Sequence, residues 1–331
     1  TDLNGHARFN DLEAGFYTYE ISASGYVGVS DTITVEPDRA NYSSEYLVRE
    51  NPVTPYPRSS AGAGVIDDRL YVAGGYLGLQ PGWYTSSSVL EIYDPASGTW
   101  EAGSSAPATF ATRVTGVIDD KLFIVEQDAY YSTPRLFIYD PSMDLWTYGS
   151  SLPSVRRSFS GAVVDRKLYV IGGRDDQSSG YLDLVEMYDP DLDTWVTKAP
   201  MPEPQSYAAV GAIQGRIYVV RVSPVDSTGL DMYDPQSDVW TSLSPMPTPR
   251  AWAMNAVVED KLYILGGYNS ASGYMTSVDV FDTASNSWSG AEPLSMYRDD
   301  AVLGVIAGQI HILWGRDESY ALLTSIEVYT P

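Results

Sequence analysis

One sequence pattern recurs six times along the chain, and its regular spacing constrains the fold more than any other feature. Each copy has two apolar runs joined by a tight turn, followed by a Gly pair or its substitute, as in "PRAWAMNAVVEDKLYILGGY" at 249–268. A further run then ends in Tyr-Asp or a close relative, and in five copies a Trp follows. We therefore interpret the copies as equivalent structural units before assigning any local structure.

Three separations along the sequence are constant. The Asp of Tyr-Asp precedes the Trp by six residues, as in Asp94 to Trp100, and the Trp precedes the start of the next copy by ten. That start, called the opening position below, precedes the end of the tight turn by eleven residues. The opening positions are Arg58, Phe110, Arg156, Gln205, Arg250 and Arg298. Length varies only between the Gly pair and the next Tyr-Asp, so every insertion falls in one connection.

Residues 44–331 resemble a series of kelch repeats. The resemblance lies in the apolar runs, the Gly pair and the Tyr and Trp at constant offsets. The resemblance implies a β-propeller, in which each copy is a four-stranded antiparallel blade. A sheet with two apolar faces cannot bury itself alone, so neighbouring copies are expected to stack. The predicted fold is all-β: a six-bladed kelch propeller over residues 41–331, preceded by a partial β-sandwich.

Closure of the propeller needs a strand that the last copy lacks, since that copy stops at "IEVYTP". Val48 precedes Arg58 by ten residues, the position at which other copies have Trp. We therefore expect residues 44–50 to pair with 323–329 as an N-terminal outer strand that closes the ring.

Residues 1–40 resemble the later half of the carboxypeptidase-regulatory-like (transthyretin-like) fold, a small β-sandwich. The residues that carry the resemblance are Asp2, Gly5, Phe9, Leu12, Gly15, Tyr17 and the pair Gly25-Tyr26. The first strands of that fold have no counterpart here. Because open sheet edges accept added strands, we expect them to come from upstream sequence or from an adjacent copy. The second case predicts self-association through residues 1–40 and a filament or sheath.

The composition is strongly acidic, with 43 Asp and Glu against 20 Lys and Arg and a net charge of -23. This charge argues against a nucleic-acid partner, whose phosphates require a basic surface. It favours a soluble, self-repelling surface, and we expect a secreted prokaryotic protein located outside the cell or at its surface. No apolar run reaches the length of a membrane span. The sequon at Asn41 is compatible with glycosylation.

The variable connections are the first candidate binding surface. In an antiparallel sheet of four strands, all the connections between second and third strands lie on one face, and loops on a rigid scaffold often carry binding residues. The stretches 76–88, 127–134, 174–184 and 268–277 are rich in Tyr, Trp, Asp and Ser. Their aromatic candidates are Trp83, Tyr84, Tyr130, Tyr131 and Tyr268. They suit carbohydrate or protein ligands; the alternative is that polar loops are simply solvated.

Arginines form a second candidate group on the same face. The opening positions supply Arg58, Arg156, Arg250 and Arg298, and the residue after the Gly pair supplies Arg174 and Arg316. A ring of guanidinium groups can bind a carboxylate or sulfate through paired hydrogen bonds. The alternative is structural, with the arginines paired to nearby aspartates: Asp175, Asp176, Asp299, Asp300 and Asp317.

Two copies replace the Gly pair with charged residues, Glu126 in the second and Arg221 in the fourth. A charge in place of a close-packed glycine needs space, and the channel of a propeller provides it. One hypothesis is therefore an acid/base and an anion-binding residue facing the channel. The alternative is an ion pair between blades or one mediated by water.

Enzyme chemistry has little support in the residue inventory. Kelch-type galactose oxidases use a copper site with a Tyr-Cys crosslink, which this chain lacks because it has no Cys and only two His. No catalytic triad, phosphate-binding loop or zinc spacing is present, so we expect neither a cofactor nor a metal. The predicted function is a non-catalytic extracellular structural or binding module. The alternative is a kelch-type sugar-modifying enzyme, an epimerase or mutarotase using channel Glu and Arg residues.

Overall fold

The structure, a computed structural model, describes residues 15–21, 29–35, 55–80, 83–112, 114–126, 133–175, 180–222 and 227–331. The chain divides into two compact units, Thr1–Thr54 and Pro55–Pro331. In the first unit, β1 (Gly15–Ile21) and β2 (Val29–Val35) pair antiparallel from Gly15 opposite Val35 to Ile21 opposite Val29. The β-sandwich predicted around this pair, and its predicted boundary at residue 40, stay predictions.

The described part of the second unit contains strands and no helix. Sheet I and its extension comprise β3 (Arg58–Ser59), β4 (Gly62–Ile66), β5 (Arg69–Ala73), β6 (Tyr76–Gln80), β7 (Trp83–Ser86), β8 (Leu90–Asp94) and β9 (Thr99–Gly103). Sheet II comprises β10 (Val114–Ile118), β11 (Lys121–Val125), β12 (Leu136–Asp140) and β13 (Leu145–Gly149). Sheet III comprises β14 (Ser160–Val164), β15 (Lys167–Ile171), β16 (Val185–Asp189) and β17 (Thr194–Lys198).

The remaining three repeats follow the same plan. Sheet IV comprises β18 (Ala209–Ile213), β19 (Arg216–Val220), β20 (Leu230–Asp234) and β21 (Val239–Ser242). Sheet V and its extension comprise β22 (Met254–Val258), β23 (Lys261–Leu265), β24 (Tyr268–Asn269), β25 (Gly273–Tyr274), β26 (Val278–Asp282) and β27 (Ser287–Ala291). Sheet VI comprises β28 (Val302–Ile306), β29 (Gln309–Leu313) and β30 (Ile326–Tyr329). Strands β3, β6 and β7 form a small separate sheet, as do β24 and β25.

Each sheet pairs its strands antiparallel in chain order, so the first strand lies at one edge of its sheet. Successive first strands lie against one another, from β4 through β10, β14, β18 and β22 to β28, and β28 lies against β4. Glycines in the first strands permit this approach: a Cβ on Gly64 would lie 2.6 Å from the side chain of Leu122 in the next sheet. The second strands are the most buried, because apolar side chains cover both of their faces.

The Tyr-Asp and Trp signature connects neighbouring sheets. In sheet III the Tyr188 hydroxyl donates to Asp193 at 2.6 Å, and Asp193 accepts from the Ser150 amide of the preceding repeat at 2.7 Å. The indole N–H of Trp195 donates to the Ser150 carbonyl at 2.7 Å. Equivalent bonds link Trp146 to Ser104, Trp240 to Ala199 and Trp288 to Ser244. The constant spacing of the signature is therefore the spacing that one sheet needs to bond to the next.

The backbone conformation after the second strand explains why two glycines occur there. Gly172 and Gly173 have φ values of +65° and +111°, a region that side chains disfavour. A Cβ on Gly173 would also lie 2.9 Å from the carbonyl oxygen of Arg157. Arg157 is the residue that follows the opening position of this repeat. The second glycine is needed because the opening segment of the same repeat packs directly against it.

Candidate ligand-binding site

A cavity of about 450 Å³ opens where the opening segments of all six repeats meet. Each repeat contributes the residue two places after its opening position: Ser60, Thr112, Ser158, Tyr207, Trp252 and Asp300. Five of these six have positive φ, with values of 51° for Ser60, 57° for Ser158 and Tyr207, 55° for Trp252 and 49° for Asp300. Non-glycine residues held in this left-handed region often mark functional sites. The cavity that this ring of residues surrounds is the candidate site, and it is called the mouth cavity below.

Aromatic side chains dominate one side of the mouth cavity. Trp252, Tyr274 and Tyr320 are among its lining residues and are 37%, 36% and 53% exposed. The Tyr268 ring bridges two of them, with its centroid 5.5 Å from that of Trp252 and 5.3 Å from that of Tyr274. A hydrogen bond between the hydroxyls of Tyr274 and Tyr320 raises the pKa of Tyr274. Two further tyrosines, Tyr76 and Tyr207, also line the cavity.

The charged residues that line the mouth cavity balance one another. They are Arg157, Arg316, Asp299 and Asp300, two of each sign. Arg316 donates through Nε to Asp299 at 3.1 Å and through a terminal nitrogen to Asp300. Its guanidinium carbon also lies 5.6 Å from the centre of the Tyr320 ring. The charges of the described lining residues thus cancel, although the whole chain is strongly acidic.

A narrower cavity of about 280 Å³ continues inward and shares Ser60, Thr112, Tyr207, Trp252 and Asp300 with the mouth cavity. Side chains of the six first strands line it, and most are small or apolar. Its polar groups already have partners in the scaffold: the Thr115 hydroxyl donates to the Ala63 carbonyl, and the Asn255 amide to the Val210 carbonyl.

The four opening-position arginines lie beneath this face, fully buried. Arg58, Arg156, Arg250 and Arg298 are each at most 1% exposed, and each pairs with a carboxylate in the third strand of its own sheet. The partners are Glu91, Glu186, Asp279 and Glu327; the shortest N–O distances are 2.6 Å for Arg58, 3.0 Å for Arg156 and 3.3 Å for Arg298. The same guanidinium groups donate to backbone carbonyls, such as Val170 and Leu184 for Arg156.

This arrangement supports the structural alternative for these arginines over the anion-binding one. Burial lowers the pKa of Arg156 to about 10, which leaves the group charged at neutral pH. Its charge is compensated inside the sheet, and its side chain presents no surface to a ligand. The expected partners were neighbouring aspartates; the observed carboxylates lie about 30 residues further along the chain.

The two sheets without an opening arginine have other contacts in place of the buried arginine–carboxylate pair. In sheet II the opening Phe110 stacks on Phe137, which stands where the other sheets have the carboxylate, with ring centroids 4.9 Å apart. In sheet IV Arg221 takes over the role of the missing arginine. It forms two hydrogen bonds with Asp231, at 2.7 and 2.8 Å, while the side-chain oxygen of Gln205 accepts from the Val222 amide.

The channel-facing hypothesis for Glu126 and Arg221 is not supported by their positions. Glu126 forms hydrogen bonds of 2.7 and 2.5 Å with Arg135, which precedes β12 of the same sheet. Neither Glu126 nor Arg221 lines the mouth cavity or the inner cavity. Each ion pair lies within one sheet, so the expected pairing between blades is wrong for both residues.

The remaining predicted site residues are distributed as follows. Arg316 and Tyr268 belong to the mouth cavity or contact its lining. Arg174 forms backbone hydrogen bonds with Arg157 and does not line the cavity. Trp83 and Tyr84 lie in β7, whereas Asn41, Tyr130 and Tyr131 lie outside the described residues. Sequence reasoning missed the ring of residues two places after the openings, although their shared offset in all six copies was a usable signal.

No group of three or more His, Cys, Asp or Glu within the described ranges has the geometry to hold a metal ion. In the same part of the chain, no helix has the length and apolar character of a membrane span.

Comparison with known proteins agrees with this architecture. The family model described as "Kelch motif" matches residues 57–107, 156–202 and 255–295, which fall mainly on sheets I, III and V. A solved structure titled "Structure of YjhT" aligns with a TM-score of 0.70 and 16% identity, covering 85% of this chain and 97% of that one. No curated protein matches the sequence. The chain therefore carries kelch motifs on a β-propeller fold.

The fold by itself does not specify an activity. As many as 637 chains of solved structures match this one, so the architecture is widely shared and function must be argued from the site. Kelch repeats suggest a propeller that takes part in protein interactions. At 16% identity, the likeness to YjhT indicates the fold alone.

Proposed function

We propose that Pro55–Pro331 is a non-catalytic binding module whose mouth cavity takes a neutral saccharide. The observation that carries this proposal is the ring of six repeat-equivalent residues around one cavity, with aromatic faces on one side and balanced charges beside them. Its volume of about 450 Å³ falls in the range of pockets for small ligands. Aromatic rings can stack on the apolar face of a sugar, while hydroxyl, carboxylate and guanidinium groups bond its hydroxyls.

The concave shape favours a small ligand over a flat protein surface. Protein–protein interfaces are typically extended, with about 800 Å² buried on each partner, whereas this site is a pocket of about 450 Å³. Under this proposal, a protein partner can bind at the mouth cavity through a glycan that it carries.

The alternative is a sugar-modifying enzyme, and the cavity offers it limited chemistry. Proton transfer at two positions of a sugar generally uses two separately placed acid/base groups. The two carboxylates that line the mouth cavity are adjacent in sequence and both bond to Arg316. The other proposed catalytic groups, Glu126 and Arg221, are paired with Arg135 and Asp231 away from the cavity.

The test is a glycan array followed by calorimetry on neutral saccharides with Trp252→Ala. Loss of the stacking surface should weaken binding about tenfold or more, since interface tryptophans often contribute on the order of 2 kcal/mol. Tyr148→Ala is the matched control, because Tyr148 is also exposed but lies on outer strand β13. Binding that survives Trp252→Ala unchanged would contradict the proposed site. Turnover of any bound sugar would establish the enzyme alternative instead.

The architecture that presents this site is proposed to be a closed ring of six blades. The contacts of β28 with β4 support closure. Ile326 and Val328 of β30 are 37% and 46% exposed, which leaves an apolar edge for residues 44–50 to cover as the fourth strand. Residues 44–50 lie outside the described ranges. An experimental structure in which they pair elsewhere, or with five or seven blades, would rule out this arrangement.

We also propose an extracellular, surface-associated role, with possible assembly through residues 1–40 into a filament or sheath. The net charge of -23 supports a solvated location, and β1 and β2 pair only with each other among the described strands, so each has an edge available for strand addition. Fractionation of native cells tests the location. Sedimentation and electron microscopy test the assembly, and a stable monomer with 1–40 ordered and no added strand would refute it.

A further inference from the structure

We infer that Asp299 and Asp300 determine ligand charge at the mouth cavity: by occupying Arg316 they exclude sugars that carry a carboxylate. This inference rests on the proposed saccharide site and adds the substrate class, neutral sugars rather than uronic or other acidic sugars. The change that should convert one preference into the other is a single substitution, Asp300→Asn.

The geometry explains why Arg316 does not act as an anion site in the native protein. Its Nε donates to Asp299, a terminal nitrogen donates to Asp300, and its guanidinium lies over the Tyr320 ring. Both carboxylates are buried or nearly so, with side-chain exposures of 10% for Asp299 and 7% for Asp300. An incoming carboxylate would have to displace one of them while meeting the negative charge of the other, which costs free energy through like-charge repulsion.

The acidic residue at position 300 is peculiar to this repeat. The equivalent residues in the other five copies are Ser60, Thr112, Ser158, Tyr207 and Trp252, and none of them carries a charge. Asp300 has φ of 49°, which asparagine tolerates as well as aspartate does. The scaffold therefore does not require a carboxylate at this place, and a role in charge selection accounts for it.

Removing one carboxylate changes the charge balance of the site. Among the described residues the native lining has two arginines and two aspartates, and Asp300→Asn leaves these residues with an excess of one positive charge. Arg316 keeps its bond to Asp299 through Nε, which holds its position, while the terminal nitrogen that bonds to Asp300 loses its charged partner and can exchange a neutral amide acceptor for a ligand carboxylate. A guanidinium and a carboxylate form strong charge-assisted hydrogen bonds in such a geometry.

The experiment compares matched sugar pairs that differ only at C6: glucose with glucuronate, and galactose with galacturonate. The native chain should bind the neutral member more tightly. Asp300→Asn should bind the uronate about tenfold more tightly than the native chain does, with affinity that falls as salt is raised. Asp68→Asn is the control: it removes the same charge from an exposed left-handed turn position between β4 and β5, away from the cavity.

The possible results distinguish failure of this inference from failure of the proposed saccharide site. If the native chain binds neutral sugars and Asp300→Asn gains no uronate affinity, charge selection is wrong while the saccharide site stands. If Asp68→Asn shows the same gain, the effect is general electrostatics and the inference also fails. If the native chain prefers uronates, the inference is overturned directly; if it binds neither member of any pair, the proposed function fails. Asp299→Asn serves as the second variant if thermal melting shows Asp300→Asn to be unfolded.

Discussion

The buried arginine–carboxylate pairs predict a specific pattern of stability changes, and sheet III is the best place to measure it. Arg156→Met leaves Glu186 buried without its guanidinium partner and removes one hydrogen-bond donor from each of the carbonyls of Val170 and Leu184. Breaking a buried ion pair from one side costs about 3–5 kcal/mol. At roughly 2–4 °C per kcal/mol for a protein of this size, the melting temperature should fall by about 6–20 °C.

Sheet II shows how the loss can be compensated. Its Phe110 and Phe137 occupy the positions equivalent to Arg156 and Glu186 and stack with centroids 4.9 Å apart. The double variant Arg156→Phe/Glu186→Phe should therefore lose less than either single variant. The expected residual cost is about 2 kcal/mol, roughly 1 kcal/mol for each of the two carbonyls that lose a donor.

The assay is differential scanning calorimetry of the double variant and of each single variant, combined with saccharide binding. With single losses of about 3–5 kcal/mol and a double loss of about 2 kcal/mol, a double-mutant cycle should give a coupling of about 4 kcal/mol or more between the two positions. Additive losses would show that the pair does not act as a unit. A different result would restore the anion-binding interpretation: unchanged stability in Arg156→Met together with lost binding of acidic ligands.

Two further predictions concern the scaffold. Hydrogen bonds from tyrosine hydroxyls hold the pKa of Asp144, Asp193 and Asp238 below the usual value, so the stability they provide is present above about pH 4 and is lost as pH falls through the lowered values. Tyr188→Phe/Asp193→Asn, which copies the Phe281 and Asn286 of sheet V, should flatten this acid dependence in melts between about pH 5 and pH 2; an unchanged slope would count against the mechanism. Gly173→Ala should cost about 1–3 kcal/mol, since its φ is +111° and a Cβ would lie 2.9 Å from the Arg157 carbonyl oxygen. Gly290→Ala, where a Cβ meets nothing within 4 Å, is the control and should be close to neutral in the same melts.

The scaffold was largely predictable from the sequence because its determinants repeat. The constant separations from Tyr-Asp to Trp and from Trp to the opening position correspond to the bonds between sheets, as in Ser150 to Asp193 and Trp195 to Ser150. Repetition separates these structural residues from local variation. The pairing of the β1–β2 segment with missing strands has no such repetition, and it stays a prediction.

The partners of the arginines were harder to predict, because each pair joins residues about 30 positions apart. The signal was nevertheless present in the sequence. The four repeats opened by Arg58, Arg156, Arg250 and Arg298 have an acid two places before the Tyr or Phe of the third strand, and the repeat opened by Phe110 has Phe137 there. The repeat opened by Gln205 also has an acid at this place, Asp231, which pairs with Arg221 instead. Only the fold shows that these two columns of residues touch. Sequence spacing alone therefore indicated that the arginines could be paired with carboxylates, but it pointed to neighbouring aspartates as the partners and not to the third-strand acids.

The distribution of left-handed residues explains why the mouth cavity, rather than the insertion loops alone, is the better site hypothesis. Holding Ser60, Ser158, Tyr207, Trp252 and Asp300 at positive φ costs on the order of 1 kcal/mol each, and glycine at those places would avoid the strain. The same backbone shape recurs while the side chain changes from hydroxyl to aromatic to carboxylate. A position that five of the six repeats keep in a costly conformation, yet fill with different side chains, is constrained in geometry but free in composition. Those are the properties that a six-part binding site needs, because each repeat can then supply a different contact to one asymmetric ligand.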